Sequence, residues 1–500
     1  MTTRPSTLGF LALWLAAAQG TAAPATETAI TFNGRTALIR GAGAHSQGSV
    51  VTIRNAGTYR LSGQFDNGQL VVDTPDQADV RLILDSVRLQ GGTNAPLLVR
   101  RAERVVLELP AGSSSVLGDA AGGAIDRPNA VIASREDLSI TGSGALQINA
   151  LHRDGIDTKD GLKIQGGTLH VTATGDALVA NDQLTISGGT LNLQAGGGSG
   201  QGIHAGVQGK QFRGRFATAQ AAAKGPSRKG LKAGTNIEIR GGTIRIDAAD
   251  DALNSNDAIR ITGGQLRIAS GDDAIHAEKT LRIDGGDVVI ERSYEGLEAP
   301  SIAVNGGRVQ LTASDDGISI STPARNWIAN RAGVASPSAI RGGQVFIDAG
   351  GDGLDSDGSI EITGGTVIVN GPVANMDGAL DADGGVRVSG GTLIAAGSAG
   401  MAQAAASNST QPSVRLYLPE TVPAGTALRL RSSSGTVVMN FAPAKSIQSL
   451  VFSSAELRQG ETYVLEAAGS EIQRFTQNGM VTTVGTGGRG TGGRGFRRGF

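Results

Sequence analysis

The sequence predicts an all-β chain: a parallel β-helix solenoid with rungs of about 22 residues, closed by a small C-terminal β cap. Three observations carry that expectation. A Gly-Gly pair recurs with a modal spacing of 22, apolar residues alternate on both sides of each pair, and 76 Gly stand among 500 residues with only 15 Pro and no G-X-Y period. The last point sets collagen aside.

The pairs begin at Gly166, Gly188, Gly241, Gly263, Gly285, Gly306, Gly342, Gly364 and Gly390, with spacings of 22, 53, 22, 22, 21, 36, 22 and 26. The longer gaps read as insertions, and a fixed period takes precedence over local readings of secondary structure. Aligned units such as DALNSNDAIRITGGQLRI (251–268), DAIHAEKTLRIDGGDVVI (273–290) and DGLDSDGSIEITGGTVIV (352–369) are apolar at unit positions 3, 9, 11, 16 and 18. The pairs 9/11 and 16/18 have the period of a strand. Three short strands and tight turns in one unit make one rung. An array of hairpins would make antiparallel strands and would not stack identical positions, and a calcium-binding nonapeptide β-roll has the wrong period.

Domain boundaries follow. Arg4 and the apolar run Leu8–Ala18, followed by small residues, have the layout of a secretory signal and make 1–25 an expected signal peptide. The solenoid and its N-terminal cap occupy 26–411, with insertions at 205–228 and 322–338. Strand-like segments between turn residues make 412–470 the cap, and 471–500, ending in Gly/Arg repeats, reads as a flexible tail.

Composition narrows the chemistry. With 44 Lys+Arg against 45 Asp+Glu, no nucleic-acid footprint is expected. The absence of Cys removes disulfides, thiolate metal sites, cysteine nucleophiles and lipid attachment to an N-terminal cysteine. No apolar stretch after the leader is long enough to span a membrane. The mature protein is expected to be exported (periplasmic, extracellular or bound to the cell surface) and monomeric.

Stacking at ~4.8 Å turns equivalent positions into ladders. Position 1 and the residue before it supply Asp250, Asp251, Asp272, Asp273, Glu295, Asp315, Asp316, Asp352 and Asp377. Position 4 adds Glu298, Asp355 and Asp381, and position 6 adds Asp357 and Asp383. Carboxylates ~4.8 Å apart repel by roughly 3.5 kcal/mol at an effective dielectric of 20, and by about 1 kcal/mol in water. A ladder tucked at a turn is relieved by a hard divalent cation, and oxygen ligands without thiols select Ca²⁺. Asp and Asn before Gly are also ordinary turn formers, which accounts for part of the pattern without a metal.

The segments YRLSG (59–63), KGLKA (229–233), DDAIHAEKTLRIDGG (272–286), YEGLEA (294–299), DDGIS (315–319), GDGLDSDGSIEITGG (351–365) and GSAGMAQ (397–403) carry a resemblance. Over about 48–468 the chain resembles the bacterial carbohydrate-binding β-helix family. That resemblance implies an exported right-handed parallel β-helix, similar in fold to pectate lyases, that binds calcium and cellulose or acidic pectic polymers. The chain departs from it in lacking a cysteine for lipid attachment and in its Arg/Gly tail.

The expected function is therefore calcium-dependent, non-catalytic binding of a polysaccharide. Aromatic poverty favours an acidic, polygalacturonate-like or plant cell-wall glycan, since only Tyr294, Trp327, Phe212, Phe216 and Phe346 offer candidate platforms. A polysaccharide lyase is the alternative: β-elimination needs a metal and a base, for which Lys232 and Lys279 are the candidates. A structural adhesin acting through its loops or tail is a third reading.

Overall fold

A computed structural model describes residues 27–92, 94–121, 130–202, 204, 226–321 and 338–487. The chain is all-β as expected. Helix is confined, among the described residues, to the single 3₁₀ turn Ser199–Gln201. The expected signal peptide, the bulk of both insertions and the end of the tail lie outside the described residues.

Each repeat contributes three strands, and each pairs in parallel with its equivalent in the next repeat. In the repeat beginning at Asp251 these are Leu253–Ser255, Ala258–Ile261 and Gln265–Ser270. Leu253 pairs Ile275, Ile259 pairs Leu281 and Leu266 pairs Val288, each a step of 22 residues, the period of the sequence. The first strands form a 14-stranded sheet, and the second and third strands belong to a 28-stranded one. Across the insertions the register passes straight over, from Leu178 to Leu231 and from Ile318 to Leu354.

The period-2 pattern points inward as the spacing requires. Leu253, Ile259, Ile261, Leu266 and Ile268 are at most 1% exposed, as are Ile275, Leu281, Ile283, Val288 and Ile290 one repeat later. Each such side chain contributes roughly 1.5–3 kcal/mol on burial, so the stack is held by a continuous aliphatic column. The Gly-Gly pair turns the chain between second and third strands. Its second member has positive φ, +94° at Gly264, and a Cβ there would lie 3.1 Å from the Gly241 carbonyl carbon of the preceding repeat. Only Gly meets both demands at no steric cost.

Among the described residues, antiparallel pairs are confined to the two ends of the stack. Strand Thr28–Gly34 pairs with Thr36–Arg40 at the start. At the far end Ile447–Ser453 pairs with Val386–Gly397 and with Ser413–Val422. The C-terminal module has its own core around Phe452, Tyr463, Leu465 and Phe475. Its expected limit at 470 falls short. Strand Ser470–Thr476 closes the four-stranded sheet and Val481–Val484 pairs with Ser413–Leu416. Buried Phe475 and Gln477 anchor this segment, a signal hidden by the polar residues around them.

Candidate functional site

The acids gather at the corner where each third strand gives way to the next first strand. Two residues ahead of the in-register core positions Ile156, Leu178, Leu231, Leu253, Ile275, Leu297, Ile318 and Leu354 stand Asp154, Asp176, Lys229, Asp251, Asp273, Glu295, Asp316 and Asp352. The expected acidic ladder is thus a column at this corner of the stack, most of it buried, and interrupted by one lysine.

Several of these carboxylates have a structural task. Asp154 Oδ1 accepts the backbone N–H of Asp176 at 2.8 Å, and Asp176 Oδ1 that of Lys229 at 2.7 Å. Asp316 Oδ1 accepts the N–H of Asp352 at 2.7 Å, and Asp352 Oδ1 that of Gly378 at 2.6 Å. Each acid staples its corner to the next, a task the sequence pattern left undistinguished from ion binding. The second oxygen of Asp176 takes the Lys232 ammonium at 3.2 Å.

Among the described residues, four groups bring ligand-type atoms within 4.8 Å of one another: Asp250/Asp251/Asp272, Asp273/His276/Glu298, Glu295/Asp315/Asp316 and Asp352/Asp355/Asp381. That span is what one Ca²⁺ with ~2.4 Å Ca–O contacts can bridge. Asp357, Asp377 and Asp383 do not join these groups. Asp357 and Asp383 face solvent at position 6, because they lie beyond the end of the first strand rather than at the corner.

The groups differ in how their charge is met. In the first, the Lys229 ammonium contacts Asp251 and lies 3.3 Å from Asp250, while Asn254 Nδ2 donates to Asp251 at 2.8 Å. Lys229 is only 6% exposed. Burial pulls its pKa down, but the charges of Asp251 and Asp250 outweigh burial and leave it above the ordinary lysine value. In the second, His276 Nδ1 donates to Glu298 at 2.5 Å and lies 3.4 Å from Asp273. Burial disfavours the imidazolium, yet these bonds win and push His276 up to about 11. That ring is a built-in cation. In the third group Glu295 is pushed up to about 8 by burial, then by the charges of Glu298 and Asp316. Its Oε2 is buried without a hydrogen-bond partner. An all-carboxylate set with a buried orphan oxygen fits a hard cation.

The two lysines considered as bases are placed differently. Lys232 does reach the corner, with Nζ 3.2 Å from Asp176 Oδ2. Lys279 does not. Its side chain is 65% exposed and pairs with Asp257 at 3.1 Å, at the entry to a second strand, because position 7 of the repeat is past the corner. Sequence reasoning missed Lys229, although the register alone would have put it in the acid column. A base must be unprotonated to act, and Lys229 is held protonated.

The two aromatic candidates among the described residues give no open platform. Tyr294 is stacked by His204 with centroids 3.8 Å apart, and His204 Nε2 lies 3.4 Å from Asp272. Phe346 faces outward beneath the Arg308 guanidinium, 5.8 Å from its centroid. Phe212, Phe216 and Trp327 lie outside the described residues.

Residues 47–219 and 207–274 match a family model described as carbohydrate-binding domain-containing protein. Just under half of the chain is thus similar to a carbohydrate-binding domain family. A carbohydrate-binding domain-containing protein of Acetivibrio thermocellus is 38% identical over 128 residues. The match covers 25% of this chain and 45% of that relative, so the chain spans less than half the length of the curated protein it matches. Among solved structures, a polysaccharide lyase-like protein from C. thermocellum, in a gadolinium derivative, is 30% identical, with a TM-score of 0.43. That match covers 52% of this chain and 97% of the other. No helix among the described residues is long and apolar enough to cross a membrane.

Proposed function

We propose that this is an exported, non-catalytic, calcium-dependent polysaccharide-binding protein for acidic, polygalacturonate-like glycans. The stacked repeats would wind as a right-handed parallel β-helix, with the acid corner as the binding line. The observation that carries the carbohydrate reading is the similarity of residues 47–274 to a carbohydrate-binding domain family. The charge of the corner supports the choice of glycan. Glu295, Asp315 and Asp316 would hold Ca²⁺, with Asp352, Asp355 and Asp381 as a second all-carboxylate cluster. The ion supplies positive charge that bridges protein and uronate carboxylates. The protein's own part is to hold its oxygens in register, with backbone staples at Asp316 and Asp352, so that part of the repulsion among them is met before the glycan arrives.

The ion pair of Lys232 with Asp176 and the solvated position of Lys279 favour binding over β-elimination. Calorimetry with polygalacturonate tests the reading. Saturable binding in Ca²⁺ that disappears in EDTA, and weakens in Glu295→Gln, is expected. Binding indifferent to EDTA, or unsaturated product accumulating on pectate, would sink it.

A further inference from the structure

The acid column continues toward the N-terminus, but its chemistry changes. In register with Leu178 and Ile156 stand Ile132, Leu97, Leu70 and Val51. Two residues ahead of them the column holds Ala130, Ala95, Gly68 and Ser49. Where later repeats fill the corner with carboxylates, the first repeats place small uncharged residues, and the surface is hollowed. The hollow, open to solvent, measures about 390 Å³ and is lined, among the described residues, by Ser49, Asn67, Gly68, Gln69 and Asn94 with the edges of Val50 and Gly92. Its volume falls in the range of small-molecule sites.

The lining is built rather than incidental. Gln69, 8% exposed, forms the floor, and its Nε2 donates to the Ala95 carbonyl at 2.9 Å. Gly68 has no room for a side chain, since a Cβ would lie 2.4 Å from the Phe65 ring. Asn67 holds the left-handed conformation at φ 50°, which Asn tolerates better than other residues with a side chain. Asn67 and Asn94 stand exposed on the rim. The polar side chains are three amides and one hydroxyl, with no titratable group among the lining residues. Such groups donate to and accept from hydroxyls and give an anion no charge to bind.

We infer that the first three rungs of the corner form a second glycan subsite, which takes uncharged pyranose units through the Asn67, Gln69 and Asn94 amides and the Ser49 hydroxyl, without metal. It lies on the same surface line as the acid clusters. A glycan with both neutral and acidic stretches would therefore be read by both, while the neutral subsite stands without the calcium reading.

The test is calorimetry on the full chain in EDTA with neutral gluco-, manno- and xylohexaose. Saturable binding of at least one is expected. It should weaken about tenfold or more in the Asn67→Gly/Asn94→Ala double variant, which removes two amide hydrogen bonds. Both positions are on the surface and Gly keeps the positive φ, so the fold is preserved, as circular dichroism would check. Polygalacturonate binding in Ca²⁺, if present, should be unchanged in this variant, and Glu295→Gln should leave hexaose binding intact. Failure of all three hexaoses to bind, or equal binding by parent and double variant, would overturn the inference. Loss of calcium-dependent binding alone would overturn only the other reading.

Discussion

Replacing Lys229 with Met asks whether a tethered ammonium stands where neighbouring corners would need an ion. The side chain is nearly buried, contacts Asp251 and lies 3.3 Å from Asp250. At that distance one pair attracts by about 5 kcal/mol at an effective dielectric of 20. Part of this is cancelled by the desolvation of both groups, but removing one partner of a buried pair strands the other, at a cost of about 3–5 kcal/mol. Met keeps most of the stem's packing, so the change isolates the charge. In a stack of repeats the loss is local, and hydrogen exchange is the matching assay. The amides of Gly230, Leu231 and Ala252, which bond to Asp251, Ala252 and Asp273 carbonyls, should exchange at least about 100-fold faster in EDTA. Ca²⁺ should restore their protection, because Asp250, Asp251 and Asp272 then lack their resident cation, and calorimetry should count one more ion than in the parent. Unchanged exchange in EDTA would refute the energetic role of the pair. Faster exchange that Ca²⁺ leaves untouched would refute the equivalence of ammonium and ion.

Two further outcomes follow from the same corner. Glu295 is raised from its ordinary 4.5 to about 8, so the folded state holds a proton that the unfolded chain gives up. Its contribution is complete below pH 4.5 and is lost as pH climbs to 8, about 5 kcal/mol in all for the ion-free protein. Unfolding in EDTA at pH 4.5 and pH 8 should show a smaller pH difference in Glu295→Gln than in the parent, and calcium affinity in the parent should rise about tenfold per pH unit below 8. Lys279→Ala should change stability by less than about 0.5 kcal/mol and leave glycan binding as it was, which a thermal scan and calorimetry would check; a loss of binding would return Lys279 to the site.

The repeat was legible because two independent signals coincide in it. The Gly-Gly pair marks a turn that demands positive φ at its second residue, as at Gly264, and the residues on each side alternate with strand period. Their agreement makes Leu253, Ile259, Ile261, Leu266 and Ile268 readable as core from the sequence. The C-terminal boundary was less legible. Strand Ser470–Thr476 carries only Ile472 and Phe475 as large apolar residues, and a neighbouring Gly-rich run masks so weak an alternation.

The acid corner was legible as a line but not as a set of sites. Period and composition place Asp176, Asp251, Asp273, Glu295, Asp316 and Asp352 in one column, and in the sequence they look equivalent. Their difference arises from what crosses between repeats: a backbone N–H at Asp176, an ammonium at Asp251, an imidazolium at Asp273, a buried unpartnered oxygen at Glu295. Three of these four are answers the chain supplies to its own stacked charge. A repeat protein that duplicates an acidic turn also duplicates its repulsion, and each copy must be neutralised by a bond to the next, by a borrowed cation side chain or by an ion from solution. Lys229 and His276 are therefore informative about Glu295: they set a cation among the carboxylates of their corners, whereas Glu295 has no basic side chain within ion-pair reach among the described residues and keeps a buried oxygen without a partner, so that its charge is left to be met by a proton or a metal ion.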